Sequence, residues 1–303
     1  MSTIRVANAP CSYGAFEITI GVVPNVPAPG AVLAAIAAAG YEGTELGPPG
    51  YLGSISTLGA ELDRAGLELA GGFIPVRFSE TEHWDEDLRA LEATLELFRA
   101  AGGTTARAVL ADAGSRARIE NPGRAAHDRS IGLDSAGWER LAQGVARAAE
   151  VVRRRGFEPT FHHHAGTCVE APWEVERLLE LTDVGLLLDT GHLLLGGGDP
   201  VRAFRDWRDR INHLHVKDVR LAVLRDAVAA GADMSECWRG GVFCELGTGD
   251  VDLEGFFAEL ATLDFDGWIV VEQDWVPRPG DDIGIPAAAQ VRNRSWLERH
   301  AGY

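Results

Sequence analysis

Gly185-Leu186-Leu187-Leu188-Asp189-Thr190-Gly191-His192 is a short apolar run that ends abruptly in ionisable groups. The next such run repeats the pattern as Ile211-Asn212-His213-Leu214-His215-Val216-Lys217-Asp218. Immediately upstream stands Pro159-Thr160-Phe161-His162-His163-His164, and downstream Trp268-Ile269-Val270-Val271-Glu272. Brief apolar runs bounded by turn residues read as strands buried on both faces, the kind found in parallel sheets. Moving outward, the same signal recurs at 4–9, 43–46, 67–74 and 106–110, which predicts eight strands at 4–9, 43–46, 67–74, 106–110, 159–164, 185–189, 211–216 and 268–272. Ala- and Leu-rich stretches with helical periodicity fill the gaps, among them 30–39, 85–101, 138–154, 173–181 and 253–263. Glycines at the joins, in Ala39-Gly40-Tyr41 and Arg155-Gly156-Phe157, suit the left-handed residue that ends a helix.

Strands that alternate with helices in this number predict an α/β protein of the (β/α)8 TIM-barrel class. A doubly wound dinucleotide-binding sheet would place GxGxxG after the first strand, and Val6-Ala7-Asn8-Ala9-Pro10-Cys11 has none. Gly196-Gly197-Gly198 precedes Asp199-Pro200, a helix-cap pair, and reads as a loop rather than a phosphate cradle. One barrel domain is expected over 1–303, with a loop or helical insertion around 220–250.

Composition narrows the function. The chain has 303 residues, 28 basic against 45 acidic, and a formal charge of −17. That field opposes phosphate backbones and anionic bilayers, so neither nucleic acid nor membrane is an expected partner. No stretch is long and apolar enough for a membrane helix, and the opening Met1-Ser2-Thr3-Ile4-Arg5 lacks the form of a secretory leader. Cys11, Cys168, Cys237 and Cys244 form no CxxC pair and read as reduced thiols of a cytoplasmic protein. Trp138, Trp173 and Trp207, in or near helix starts, are expected in the core.

In a barrel the chemistry sits at the C-terminal ends of the strands. Those ends carry Glu45, then His162-His163-His164, Asp189 with His192, His213 with His215 and Lys217, and finally Glu272. Side chains two apart on a strand share a face, so His162 and His164 point together, as do His213, His215 and Lys217. His163 faces the other way and reads as structural, and His83, His127 and His300 as peripheral. Asp189, His215 and Glu272 hold matching positions on three successive strands, where unpaired carboxylates would repel one another. A divalent cation removes that conflict, and mixed imidazole and carboxylate ligands suit Mn²⁺, Fe²⁺, Co²⁺ or Zn²⁺ rather than Ca²⁺. Glu45 alone reads sooner as a cap or surface ion-pair residue than as a site residue.

Four blocks carry a family resemblance: Phe161-His-His-His-Ala-Gly-Thr167, Leu188-Asp-Thr-Gly-His192, Asn212-His-Leu-His-Val-Lys-Asp-Val-Arg220 and Gly267-Trp-Ile-Val-Val-Glu-Gln-Asp274. In order and spacing they resemble the inosose dehydratases of myo-inositol catabolism, within the xylose-isomerase-like sugar isomerase/epimerase superfamily. Residues 40–47 add to it, whereas the first-strand segment Asn8-Ala-Pro-Cys-Ser-Tyr-Gly-Ala-Phe-Glu17 departs from that family. The resemblance implies one divalent metal, Mn²⁺ or Co²⁺ first and Fe²⁺, Zn²⁺ or Mg²⁺ as alternatives, on Asp189, His215 and Glu272. His162, or in second place His164, would be the fourth ligand where many relatives have Glu. It further implies substrate contact by His192, with Lys217 and Arg220 facing the same cavity and His213 beside them. The expected reaction is dehydration of a cyclic keto-polyol through an enolate. His164, His192, Lys217 and Glu45 are the acid–base candidates, with no assignment between them. The alternatives are isomerisation or epimerisation of a keto-sugar by the same enolate, an apurinic endonuclease, which the acidic charge disfavours, and a non-catalytic sugar-binding subunit. A homo-oligomer is expected of the architecture.

Overall fold

The computed structural model describes residues 4–303. Residues 1–3, where the reading of the N-terminus begins, lie outside it. Eight parallel strands close into a barrel: β1 (Ile4–Asn8), β2 (Gly43–Glu45), β3 (Glu68–Val76), β4 (Arg107–Asp112), β5 (Glu158–His162), β6 (Gly185–Asp189), β7 (Ile211–Val216) and β8 (Gly267–Val271). Each pairs with its sequence neighbour, and β1 closes the ring against β8 from Ile4↔Gly267 to Asn8↔Val271. Around it lie α1 (Pro29–Ala38), α2 (Leu58–Ala65), α3 (Trp84–Ala100), α4 (Ser135–Arg154), α5 (Pro172–Leu181), α6 (Pro200–Trp207), α7 (Leu253–Leu260) and α8 (Gly284–His300). Asp199 caps α6 through Val201 and Arg202 N–H, as the Asp-Pro pair anticipates.

Parity along the strands sorts the core. Leu186, Leu188, Leu214, Val216, Ile269 and Val271 join the large cluster between the barrel and its helices. Ala7, Ala9, Ala70, Trp268 and Val270 form a separate small cluster. Trp268, Val270 and Glu272 therefore share one face, which brings Glu272 to the barrel axis. Gly71 makes the interior polar pairings feasible. A Cβ there would stand 3.0 Å from Glu45 Oε1 and 2.9 Å from the Arg107 carbonyl.

Two strand ends differ from expectation. β5 stops at His162 because His164 N–H turns aside to the Val169 carbonyl at 3.0 Å. β3 runs on to Val76, through Pro75. β2 pairs with β3 only as far as Gly71, so the missing Pro75 N–H costs no ladder bond.

The segment between β7 and α7 holds an antiparallel ribbon of Asp218–Val219 against Phe243–Cys244 and two helices, Leu221–Ala229 and Met234–Arg239. Trp138 and Trp207 are buried, and Trp173 packs partly buried against the core. All four cysteines are free thiols. Among the described residues, no helix is long and apolar enough to cross a membrane.

Candidate active site

The C-terminal ends of the strands open into a cavity of about 470 Å³ whose lining includes Glu45, His162, His164, His215, Lys217 and Glu272. Asp189 lies behind that lining, fully buried. It is the N-cap of the short helix Thr190–Leu195, with Oδ1 accepting His192 N–H at 2.8 Å. Capping fixes the carboxylate and leaves the buried Oδ2 with no hydrogen-bond partner. Three groups converge on that oxygen: His215 Nδ1 at 3.7 Å, His162 Nε2 at 3.8 Å and Lys217 Nζ at 3.6 Å. Glu272 Oε2 stands 3.0 Å from His215 Nδ1, which nonetheless makes no aligned hydrogen bond.

These residues fit a divalent metal. Ligand atoms bound at about 2.0–2.2 Å lie roughly 3–3.5 Å from one another, close to the separations here. A buried carboxylate oxygen and a buried imidazole nitrogen aimed at one point, neither satisfied by protein, are the donor set such an ion requires. Burial raises the pKa of the Asp189 carboxyl, but Lys217 and His215 outweigh it and hold the group below the usual range. Burial dominates for His162 and keeps that imidazole neutral, as a ligand must be.

Glu45 works behind His215. Its Oε1 accepts from His213 Nε2 at 2.9 Å and His215 Nε2 at 3.0 Å, which leaves His215 Nδ1 turned to Asp189 and Glu272. Burial pushes the Glu45 carboxyl up, yet the two histidines bring it lower overall. His213 is buried beneath Glu45 and is not part of the cavity wall, so it supports the site instead of meeting substrate.

Lys217 Nζ is the cation among the acids, 2.9 Å from Glu272 Oε2 and 3.1 Å from Asp274 Oδ1. Against the lowering effect of burial, Asp274, Glu272 and Asp189 keep its ammonium protonated. It also lies 3.1 Å from His192 Nε2. His192 is fully buried, and its ring centroid is 3.8 Å from that of His164. His164 Nδ1 meets the Ala165 carbonyl at 2.9 Å. A carbonyl only accepts, so Nδ1 carries the hydrogen and Nε2 keeps its lone pair. Burial and Lys217 together lower the His164 pKa. His163 turns away from the cavity and accepts Asp189 N–H on Nε2 at 3.2 Å, with burial lowering its pKa to about 4.

His192, expected to touch substrate, is likewise fully buried and absent from the cavity lining, and one further residue does not join the site at all. Arg220 is exposed, donates to Thr248 Oγ1 at 3.3 Å and is absent from the cavity lining. The ribbon that starts at Asp218 turns the chain outward, so the alternation that governs 213, 215 and 217 has ended before 220.

Three residues escaped the sequence reading. Asp274 holds Lys217 and accepts Trp238 Nε1–H at 2.9 Å. Trp238 stacks on His164 at 6.1 Å between centroids. Cys11 Sγ is 3.4 Å from Glu272 Oε1. Asp274 ends the quoted block Glu-Gln-Asp, which was the one available signal; nothing local marks Trp238 or Cys11 as neighbours of these acids.

Comparison with known proteins identifies the family. A model of the xylose isomerase-like TIM barrel family matches residues 33–300. An inosose dehydratase of Geobacillus kaustophilus is 37% identical over 256 residues, 81% of this chain and 80% of that protein. The rhizopine catabolism protein MocC of Rhizobium meliloti is 37% identical over 243 residues, 79% of this chain and 72% of its own length. Among solved structures, the IOLI protein with a bound zinc atom superposes with a TM-score of 0.69 at 12% identity, covering 98% of this chain and 99% of that one. The chain therefore belongs to the xylose isomerase-like TIM barrel family and, within it, to the inosose dehydratases, which are carbon–oxygen lyases.

Proposed function

We propose that the protein removes water from 2-keto-myo-inositol or a closely related cyclic keto-polyol, with a divalent metal held by Asp189, His215, Glu272 and His162. The observation that carries the reading is the convergence of His162, His215 and Lys217 on the unsatisfied Asp189 Oδ2, with Glu272 Oε2 3.0 Å from the same His215 Nδ1. Mn²⁺ or Co²⁺ suits this imidazole and carboxylate set, with Fe²⁺, Zn²⁺ or Mg²⁺ as alternatives. A bound ion supplies a Lewis acid that polarises the ketone oxygen and so acidifies the neighbouring C–H.

The protein's own groups handle the protons. His164 Nε2 takes the α-hydrogen, and the C–H electrons move into the enolate. Lys217 Nζ gives a proton to the β-hydroxyl as its C–O bond breaks, and water leaves. His164 is then protonated and Lys217 neutral. Both groups line the open cavity, so proton exchange with solvent after product leaves restores the starting state. Glu45 is a positioning group here, because its Oε1 already serves two histidines. Lys217 is the single Lys or Arg of the lining, which favours an uncharged substrate over a phosphorylated one. Reduced thiols at all four cysteines fit a cytoplasmic enzyme.

The test is product mass. Protein loaded with Mn²⁺ or Co²⁺ is incubated with 2-keto-myo-inositol, and a metal-dependent loss of one water is expected. An isomer of unchanged mass would transfer the protein to the epimerase reading, since the same enolate then recovers its proton on another face or carbon.

A further inference from the structure

We infer that Asp274 is a positioning residue that aims the Lys217 ammonium at the substrate, and that it does so only while the indole of Trp238 holds it. The inference rests on the proposed role of Lys217 as proton donor and deepens it by naming the residues that orient it.

The hydrogen-bond capacity around Nζ carries the argument. Lys217 is the one lysine among 28 basic residues. Its ammonium only donates, and it needs acceptors for its hydrogens. Around it stand Glu272 Oε2 at 2.9 Å, Asp274 Oδ1 at 3.1 Å, Asp189 Oδ2 at 3.6 Å and His192 Nε2 at 3.1 Å. His192 offers no acceptor: its Nδ1 takes Ala165 N–H at 3.3 Å, which puts the ring's own hydrogen on Nε2. Asp189 and Glu272 belong to the proposed metal set, and a carboxylate that shares its charge with a divalent cation is the weaker acceptor. Asp274 lies outside that set. It is the anion reserved for Lys217.

Asp274 needs a second partner to do this. The chain on either side of it is pinned to the first strand's end, by Gln273 N–H to Ser12 Oγ at 3.0 Å and Trp275 N–H to the Cys11 carbonyl at 3.2 Å. Those bonds fix the backbone and leave the carboxylate free to rotate. Its Oδ2 accepts Trp238 Nε1–H at 2.9 Å, and that bond sets the plane of the group and with it the direction of Oδ1. Trp238 belongs to the helix Met234–Arg239, which buries Met234 and Cys237 and presents Ser235 and Trp238 to the cavity. The helix therefore supplies a wall of the site and also aligns the donor, so a cavity open at that wall has no aligned ammonium.

Two substitutions and one label test this chain of contacts in the metal-loaded full chain. Asp274→Asn keeps the shape but has a single side-chain oxygen, which serves the indole or the ammonium and not both. It is expected to lower kcat on 2-keto-myo-inositol about 10- to 100-fold, the effect of losing a bond to a charged group, with KM and the Kd for Mn²⁺ within about twofold. Trp238→Phe keeps a ring beside His164 and removes the N–H, and kcat is expected to fall about three- to tenfold. Both act through one carboxylate, so the double variant is expected to match Asp274→Asn alone. Because the chain has one lysine, ¹⁵N-lysine labelling gives one ammonium signal, expected to be protected from exchange in the Mg²⁺-loaded wild type and lost in either variant. Unchanged kcat in Asp274→Asn, losses that multiply in the double variant, or an ammonium signal that survives both substitutions would overturn the inference. Absence of water loss by the wild type would instead count against the dehydratase reading, and the ammonium signal alone would then decide whether Asp274 and Trp238 hold Lys217.

Discussion

At the scale of single residues, the decisive atom is Glu45 Oε1, which two imidazoles share. Groups that orient metal ligands influence affinity by about 10–100-fold, so Glu45→Gln should weaken Mn²⁺ binding by that factor, measured by metal titration, with the barrel still folded. Asp189→Ala and Glu272→Ala should lose bound metal and activity together, checked by elemental analysis beside the product assay. Full activity in either would remove the proposed centre. A second buried group gives a pH prediction away from the site. Glu170, fully enclosed, accepts Gly123 N–H and Gly166 N–H and lies 3.8 Å from Arg118. Burial, only partly offset by Arg118, pushes its carboxyl up to about 7. Its folded-state pKa thus exceeds the unfolded value, so between about pH 4.5 and 7 the folded chain binds more protons and stability falls as pH rises. Glu170→Gln should remove that component, at most about 1.4 kcal/mol per pH unit, seen as the difference between wild-type and variant denaturation curves across the window.

At the scale of elements, Asp218 decides whether the segment after β7 stays in place. It is fully buried, and its carboxylate accepts N–H groups of Val219, Gly247, Gly249 and Val251 at 2.8–3.1 Å. A Cβ at Gly249 would sit 2.3 Å from Asp218 Oδ1, so the loop wraps the acid too closely for any other residue. Asp218→Ala strands two buried donors, Val219 and Val251 N–H, and two part-buried ones, and should cost about 3 kcal/mol, with faster hydrogen exchange first at residues 247, 249 and 251. The helix Met234–Arg239 hangs on a lighter link, Trp238 Nε1 to Asp274. What the sequence discloses follows this division. The eight strands and the acids and imidazoles on them are legible, because an apolar run ending in charge has one good explanation in a parallel barrel. Arg220 misleads because the family resemblance places it in the cavity, and the ribbon that starts at Asp218 turns this chain outward before it. Trp238 and Asp274 are silent because their meeting depends on tertiary closure of a segment whose local pattern shows only short helices. β5 is overread by two residues since His163 and His164 suit a strand locally, and only the bond from His164 to Val169 ends it.

Across the whole molecule, the charge of −17 acts on the two proposed ligands in opposite degrees. A divalent cation is drawn toward an acidic protein and then to a site where Asp189, Glu272 and Asp274 surround a single ammonium. A neutral keto-polyol feels no net pull from the same field. Added salt shortens the screening length from about 30 Å at 0.01 M to about 8 Å at 0.15 M, which removes the long-range share of the attraction and leaves the contacts at the site. The apparent Kd for Mn²⁺ should therefore rise between those salt concentrations. KM for 2-keto-myo-inositol, measured at saturating Mn²⁺ in the same two buffers, should stay constant. A KM that falls with salt would mean that the substrate is an anion repelled by the protein. A KM that rises with salt would mean a cationic substrate, which the lone Lys217 of the lining would not oppose as strongly as the acids attract it. Constant KM beside a salt-weakened metal Kd is the combination that an uncharged substrate and a divalent cofactor jointly require.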